Sequence, residues 1–187
     1  LPISIAAQRH SQGGHISSPG GLLLDLNDYR GVALGPKERS QRMVRALSGT
    51  TWAEVQAAAN GDGLHPAAYR EIMARRDDQG RTVPPGSLAV AVQQSSNVFS
   101  IGGSLSVNCH GRDKDFGPII STVRSFRIML HDGRVVRASH DDPDGSEGGR
   151  LFRAAIGGFG LFGVILDVDL DLRDNVVLEK RVKHINY

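Results

Sequence analysis

The chain has 187 residues, room for one sizeable domain or two small ones. Hydrophobic residues make up 40% and charged residues 22%, a globular balance that excludes a disordered chain. The 22 Lys and Arg against 20 Asp and Glu leave a formal charge of +2, too little to drive nucleic-acid or membrane binding by bulk electrostatics, and no apolar run reaches the roughly 18 residues of a membrane span. Cys109 stands alone, so an internal disulfide and a Cys-rich zinc site are excluded. A lone thiol fits a reducing, cytoplasmic compartment. The start at Leu1 fits a trimmed or processed chain, which leaves export open.

In chain order, Ile3–Ala6 reads as a short strand, and 7–21 as a Gly/Ser/Gln/His-rich loop. Leu22–Leu26 reads as a buried apolar strand and Gln41–Leu47 as another strand. Thr50 or Thr51 caps a helix from Trp52 to about Asn60, with Glu54 in its first turn and Gly61 beyond its end. Residues 66–87 carry a helical stretch at Ala67–Arg76 and a charged loop with a rigid Pro84-Pro85 exit, and they read as a surface insertion. Val92–His110 is polar and glycine-containing. Pro118–Ile128 reads as a short helix running into a strand, and Arg134–Ala138 returns from an Asp-Gly hairpin turn of the primed kind at His131–Arg134. Asp141–Gly149 reads as a polar loop and Leu151–Ile156 as a short helix. Val164–Leu172 alternates as a half-buried strand, and Val176–Val182 forms one more. Strands joined by hairpins with a few short helices give an α+β class.

Several motifs fail on context. Gly158, Gly160 and Gly163 have dinucleotide spacing, but a helix precedes them and a strand follows, the reverse of what a phosphate at a helix N-terminus requires. Asp141–Glu147 lacks the register of a calcium loop, and the seven histidines include no metal-ligating pair, so no metal site is assigned.

Two segments suit a phosphate-bearing cofactor. In Ala6, Ala7, Gln8, Arg9, His10, Ser11, Gln12 and Gly13, a tight loop follows a strand, and successive N–H groups there make an anion nest. In the second, running from Ser95 to Gly111, Gly102 and Gly103 permit close backbone approach. The turn after them opens a helix toward phosphate, and Ser104 and Ser106 keep that surface accessible.

The order Ile3-Ser-Ile-Ala6, Arg9-His-Ser11, Gly13-Gly14, Gly49-Thr-Thr-Trp52, Ser100-Ile-Gly-Gly103, His110-Gly111, then Ile156-Gly-Gly-Phe-Gly-Leu-Phe-Gly-Val-Ile165, resembles the PCMH-type FAD-binding domain of the vanillyl-alcohol oxidase superfamily. The Arg-His-Ser loop is similar to that of alditol oxidases. The later glycine segments are similar to those of decaprenylphosphoryl-ribose oxidases. The resemblance covers residues 1–173 and implies two α+β subdomains with FAD between them. It places the diphosphate against Ala6–Ser11 and Ser100, Ile101, Gly102 and Gly103. Val107, Asn108, Cys109 and His110 would line the ribityl and ring region, with Ser106 a further cofactor contact, and Val164 or Ile165 would bond the adenine through the backbone. His10 falls where several members attach FAD covalently, with Arg9 favouring a neutral imidazole and Ser11 positioned to fix the ring. A second flavin bond at Cys109 is the minor alternative to a buried structural thiol. Relatives commonly carry glycine where this chain has Ala7-Gln8-Arg9, and positive φ there would cost roughly 1 kcal/mol per residue.

By resemblance, the protein is a flavoprotein oxidoreductase that oxidises a CH–OH group of a sugar, polyol or related alcohol. Hydride passes to flavin N5, and oxygen or another acceptor takes the electrons. Residues 174–187 would begin the connection to a substrate domain supplying the catalytic base. The alternatives are a noncatalytic FAD- or nucleotide-binding domain, which substrate would not bleach, and an NADPH-linked flavin reductase of the same fold.

Overall fold

The computed structural model describes residues 1–14, 16–34, 42–60, 88–176 and 181–183. The expected insertion at 66–87 with its helical stretch, Gln41, Gly61 and most of the strand expected after Val176 lie outside these residues. Val176, Arg181 and Val182 themselves lie outside any strand.

Strand β1 (Ile3–Ala6) pairs in parallel with β2 (Leu22–Asp25), Ile3 opposite Leu22 and Ala6 opposite Asp25. The two form a small sheet of their own. The expectation of a buried β2 fails: Leu22 and Leu23 are exposed, because among the described residues the second strand meets only β1 along its length. An apolar run identifies a strand but not what covers it.

The larger sheet is antiparallel, with strand order β3 (Val32–Leu34), β4 (Met43–Leu47), β8 (Val164–Asp174), β6 (Val123–Met129), β7 (Val135–Ser139). Strand β5 (Leu88–Val90) pairs with the far end of β8. A 3-10 turn at Ile119–Thr122 leads into β6. The β6–β7 hairpin has a three-residue loop, His131-Asp132-Gly133, with the Leu130 and Arg134 backbones bonded across it. Only Gly133, the last of the three, takes positive φ (84°), so the turn is not the expected two-residue primed type.

Helix α1 (Trp52–Ala59) is built as its sequence dictates. Thr51 caps it, Glu54 Oε2 accepts the Thr51 amide at 2.7 Å, and the two form a capping box. Trp52, Val55 and Ala59 then face inward, with Asn60 as C-cap. Helix α2 spans Ile101–Ser106 and helix α3 Glu147–Ala155. The third helix starts four residues earlier than expected. Gly148 and Gly149 weaken its propensity, but Ser146 caps it by accepting the Gly149 amide at 3.0 Å, and Glu147 favours the helix N-terminus.

One face of the large sheet packs under the helices. Trp52, Val55, Ile101, Leu105, Phe126, Ile128, Phe152 and Val168 form a continuous core, with the Phe126 and Phe152 rings stacked at 5.8 Å. The other face carries the aspartates of β8. Two of them are not half-exposed as the alternation suggested. Asp167 and Asp169 are 4% and 6% exposed, beneath arginines from the flanking strands. Arg45 grips Asp169 through two nitrogens at 2.7 and 2.8 Å, Ser125 Oγ donates to the same carboxylate at 2.9 Å, and Arg127 Nε reaches Asp167 at 2.7 Å. Arg124 pairs with Asp171. Burial pushes the Asp169 carboxyl upward, but the hydrogen bonds from Arg45 and Ser125 outweigh it and hold the group below its ordinary value.

Candidate cofactor site

The loop after β1 turns sharply at Arg9, whose φ of 54° is a conformation a non-glycine residue enters at a cost of roughly 1 kcal/mol. Its guanidinium reaches back to β2 and pairs with Asp25 Oδ2 at 2.6 Å. Gln8 Nε2 donates to Asn27 Oδ1 at 2.7 Å. Asp25 Oδ1 accepts the Asn27 amide at 2.9 Å, and this bond, with Arg9, holds the Asp25 carboxyl below its ordinary value. Arg30 Nη2 extends the set to Asn27 Oδ1 at 2.9 Å, and its Nη1 to Glu54 of the capping box at 3.6 Å. The loop thus carries its side chains outward onto β2 and the following turn. The amides of Gln8 to Gly13 donate to no acceptor among the described residues.

Across from the loop stands α2. His10 and Phe99, one residue before the helix cap, meet edge-to-face at 4.9 Å, so the two segments singled out from sequence are brought together. The first turn of α2 does not offer its amides to a ligand, contrary to expectation. Ile101 N donates to Thr50 O at 2.8 Å, Gly102 N to Ser48 O at 2.8 Å and Gly103 N to Ser100 Oγ at 3.3 Å. Gly102 is glycine because of this packing: a Cβ there would lie 2.8 Å from Ser48 Cβ. Gly103 differs, being exposed, and its Cβ would meet only Ser100 Oγ at 3.0 Å.

Ser104 is buried rather than accessible. Its hydroxyl accepts Trp52 Nε1 at 2.9 Å and faces Gln94 Oε1 at 2.5 Å and the Ser100 carbonyl at 2.8 Å. That network pins α2 to α1. Ser106 is half-buried and donates to the Gly102 carbonyl at 2.8 Å.

The helix ends in a Schellman motif. Asn108 sits at φ 45°, its amide donates to Leu105 O at 2.9 Å, and the Cys109 amide donates to Ser104 O at 3.1 Å. Cys109 is buried. Desolvation, against weaker opposition from Ser104 and Gln94, pushes its thiol up to about 11, which suits a structural thiol and not a nucleophile. Val107 and His110 are exposed, Gly111 is half-buried, and Ser95 lies exposed on the approach to the helix.

A third segment joins the pair. Gly157 N donates to Leu105 O and Phe159 N to Ser106 O, both at 2.9 Å, while Gly160 lies against Ile5 of β1. The glycine run therefore sits between the end of α2 and the first strand, with Phe159, Leu161 and Phe162 exposed. It feeds β8, where Val164 and Ile165 are buried opposite Met129 and Ile128. Strand β4 pairs with β8 only as far as Leu47 opposite Asp167, and Ser48 N takes Leu166 O at 2.9 Å, so Val164 and Ile165 lie beyond the β4 pairing.

Of the sequence candidates, Ala6, Ser100, Ile101, Val164 and Ile165 are buried, so any ligand contact from them is through the main chain. Gln8, Arg9, His10, Ser11, Gln12, Gly13, Gly103, Val107 and His110 stand on the accessible side or its edge. Arg9 is committed to Asp25, and no hydrogen bond joins Ser11 to His10 among the described residues. Asp25, Asn27 and Phe99 escaped sequence reading; nothing in local spacing links Asp25 to Arg9.

These features fit a dinucleotide cofactor. A row of unclaimed amides suits a diphosphate, the open Gly103 face permits close approach, and exposed apolar side chains flank both. Ser48 Oγ, buried between β4 and α2, has no partner among the described residues.

The chain is similar to decaprenylphosphoryl-β-D-ribose oxidase of Mycolicibacterium smegmatis, 27% identical over 163 residues, which is 87% of this chain and 29% of that protein. It is similar also to cytokinin dehydrogenase 5 of Arabidopsis thaliana (24% identical, 92% of this chain, 27% of the relative). Cytokinin dehydrogenase 2 of rice is 26% identical and matches 88% of this chain and 25% of its own length. The chain spans less than a third of the length of these curated relatives. No family model matches it. The likeness to an oxidase and to dehydrogenases agrees with the α+β, FAD-linked reading of the motifs and supports FAD as the cofactor.

Proposed function

We propose that residues 1–173 form the FAD-binding domain of an oxidoreductase that oxidises a CH–OH group of a sugar, polyol or related alcohol. The observation that carries this reading is the run of unclaimed amides at Gln8–Gly13 on a loop held beside the α2 segment by the His10–Phe99 contact. Bound there, FAD supplies the two-electron oxidising chemistry that no protein side chain has. The chain's own part is to hold it. Gln8–Gly13 take the diphosphate, Gly103 lets it approach, and Val107, Asn108 and His110 border the ring end. Val164 offers main-chain groups at the end of β8. Likeness to an oxidase named for a phosphorylated ribose favours a sugar hydroxyl. No general base or substrate pocket is assigned among these 187 residues, which span less than a third of the relatives' length.

The test has two arms. The purified chain mixed with FAD and desalted should keep a flavin absorption spectrum, and loss of all flavin refutes the cofactor assignment. In a protein that joins this chain to a substrate domain, anaerobic addition of a riboside or polyol should bleach that spectrum, while NADPH should not. Bleaching by NADPH alone makes the protein a reductase, and bleaching by neither makes the flavin structural.

A further inference from the structure

Arg9 holds a backbone conformation that ordinarily calls for glycine, and its side chain does not face the loop's own amides. It reaches 16 residues on to Asp25 at 2.6 Å, where β2 ends beside β1. Gln8 makes a parallel tether to Asn27. Asp25 is itself set for this by the Asn27 amide on its other oxygen. An anion-binding loop gains nothing from a carboxylate nearby, so Asp25 needs a reason to stand there.

We propose that Arg9 and Asp25 form a charge clamp that holds the Gln8–Gly13 loop in its ligand-ready shape, with Arg9 a positioning residue acting through Asp25 and not a direct cation for the phosphates. The inference rests on the FAD reading of this loop. The clamp replaces glycine by another route. It stabilises positive φ at Arg9 from outside and leaves the neighbouring amides free for a ligand. Preorganisation of this kind raises affinity by removing the cost of ordering the loop.

The sign of one substitution separates the clamp from simple electrostatics. Asp25→Asn removes a negative charge near an anion site, so Coulomb attraction alone predicts tighter FAD binding. The clamp predicts weaker binding, by roughly threefold to fivefold, the range of an exposed ion pair. The substituted side chain keeps an oxygen for the Asn27 amide, so the turn itself is retained. Arg9→Ala should weaken binding by a similar factor, and Arg9→Ala combined with Asp25→Asn should be no worse than the weaker-binding single variant. Backbone NMR order parameters of the flavin-free chain give an independent readout, with lower order at 8–13 in Asp25→Asn and unchanged order in β8. Binding of FAD by Asp25→Asn at or above the parent affinity, with the parent itself binding, overturns the clamp and leaves the cofactor reading intact. A parent chain that takes up no FAD overturns both, and unchanged loop order parameters in Asp25→Asn overturn the clamp alone.

Discussion

Adjacent glycines in α2 should respond in opposite ways to the same methyl group. At Gly102 an added Cβ would lie 2.8 Å from Ser48 Cβ and 3.1 Å from the Ser48 carbonyl, which accepts the Gly102 amide. The neighbour is a backbone at the end of β4 and cannot yield without moving the strand. Overpacking of this kind costs roughly 1–3 kcal/mol, against a helix-propensity gain of at most about 1 kcal/mol. Gly102→Ala should therefore lose about 1–2 kcal/mol and melt a few degrees lower, near the ~2–4 °C per kcal/mol expected at this size. Gly103 is exposed, and the added Cβ meets only the Ser100 hydroxyl at 3.0 Å, the end of a short side chain. Gly103→Ala should be neutral or slightly stabilising without flavin, yet weaken FAD binding, and Gly103→Val should abolish flavin retention. Urea titration of the apo chain and flavin titration by absorbance give the two numbers. Equal loss of stability in the two alanine variants, or full FAD retention by Gly103→Val, refutes the separate roles given to these positions.

Other outcomes follow from the sheet and the loop. Asp169 is held below its ordinary carboxyl value in the folded chain, so the stability it contributes is present above the unfolded value of about 4 and fades as pH falls through the folded value. Asp169→Asn should cost about 1–2 kcal/mol at pH 7 in urea titrations, with the difference from the parent shrinking below about pH 4; a penalty that persists undiminished at about pH 2 contradicts the assignment. If FAD is covalently attached, His10 should carry it: mass spectrometry of the denatured, loaded protein should show an adduct that His10→Ala loses, and complete release of flavin from the parent makes the contact noncovalent. Ser104→Ala should loosen α2 by orphaning Trp52 Nε1, at about 1–3 kcal/mol in thermal or urea unfolding.

What could be read ahead was local. The capping box at Thr51 and Glu54 lies within one turn of the helix it starts, so α1 was legible from spacing. The alternation of β8 identified a strand but misjudged its exposure. Arg45 and Arg127, which cover its aspartates, arrive from strands 124 and 40 residues away in the chain. Leu22–Leu24 misled in the reverse direction, since burial depends on what packs on a strand and not on its own composition. The start of α3 was hidden by Gly148 and Gly149, whose low propensity tertiary packing overrides.

The candidate loop was legible as a segment, but the contacts that shape it were not, because Arg9–Asp25 and Gln8–Asn27 join residues 16 and 19 positions apart in the chain. Three non-glycine residues take positive φ among the described ones: Arg9 at 54°, Asn108 at 45° and Phe159 at 52°. All three belong to the segments that converge on the site, one on the loop after β1, one at the end of α2, one in the glycine run. Each conformation costs roughly 1–3 kcal/mol and persists only where neighbours over-determine it. The neighbours are visible in each case. Arg9 is clamped by Asp25, Asn108 by the Schellman bonds and by the Ile120 amide on its Oδ1 at 3.3 Å, and Phe159 by its amide bond to Ser106 O. Asn108 is the ordinary Schellman cap of α2, whereas the strain at Arg9 and Phe159 sits on exposed residues flanking the candidate site. A packed core would be satisfied by glycine at all three positions. Under the proposed reading, a flavin dinucleotide laid from the β1 loop toward the end of α2 would require the main chain in these conformations.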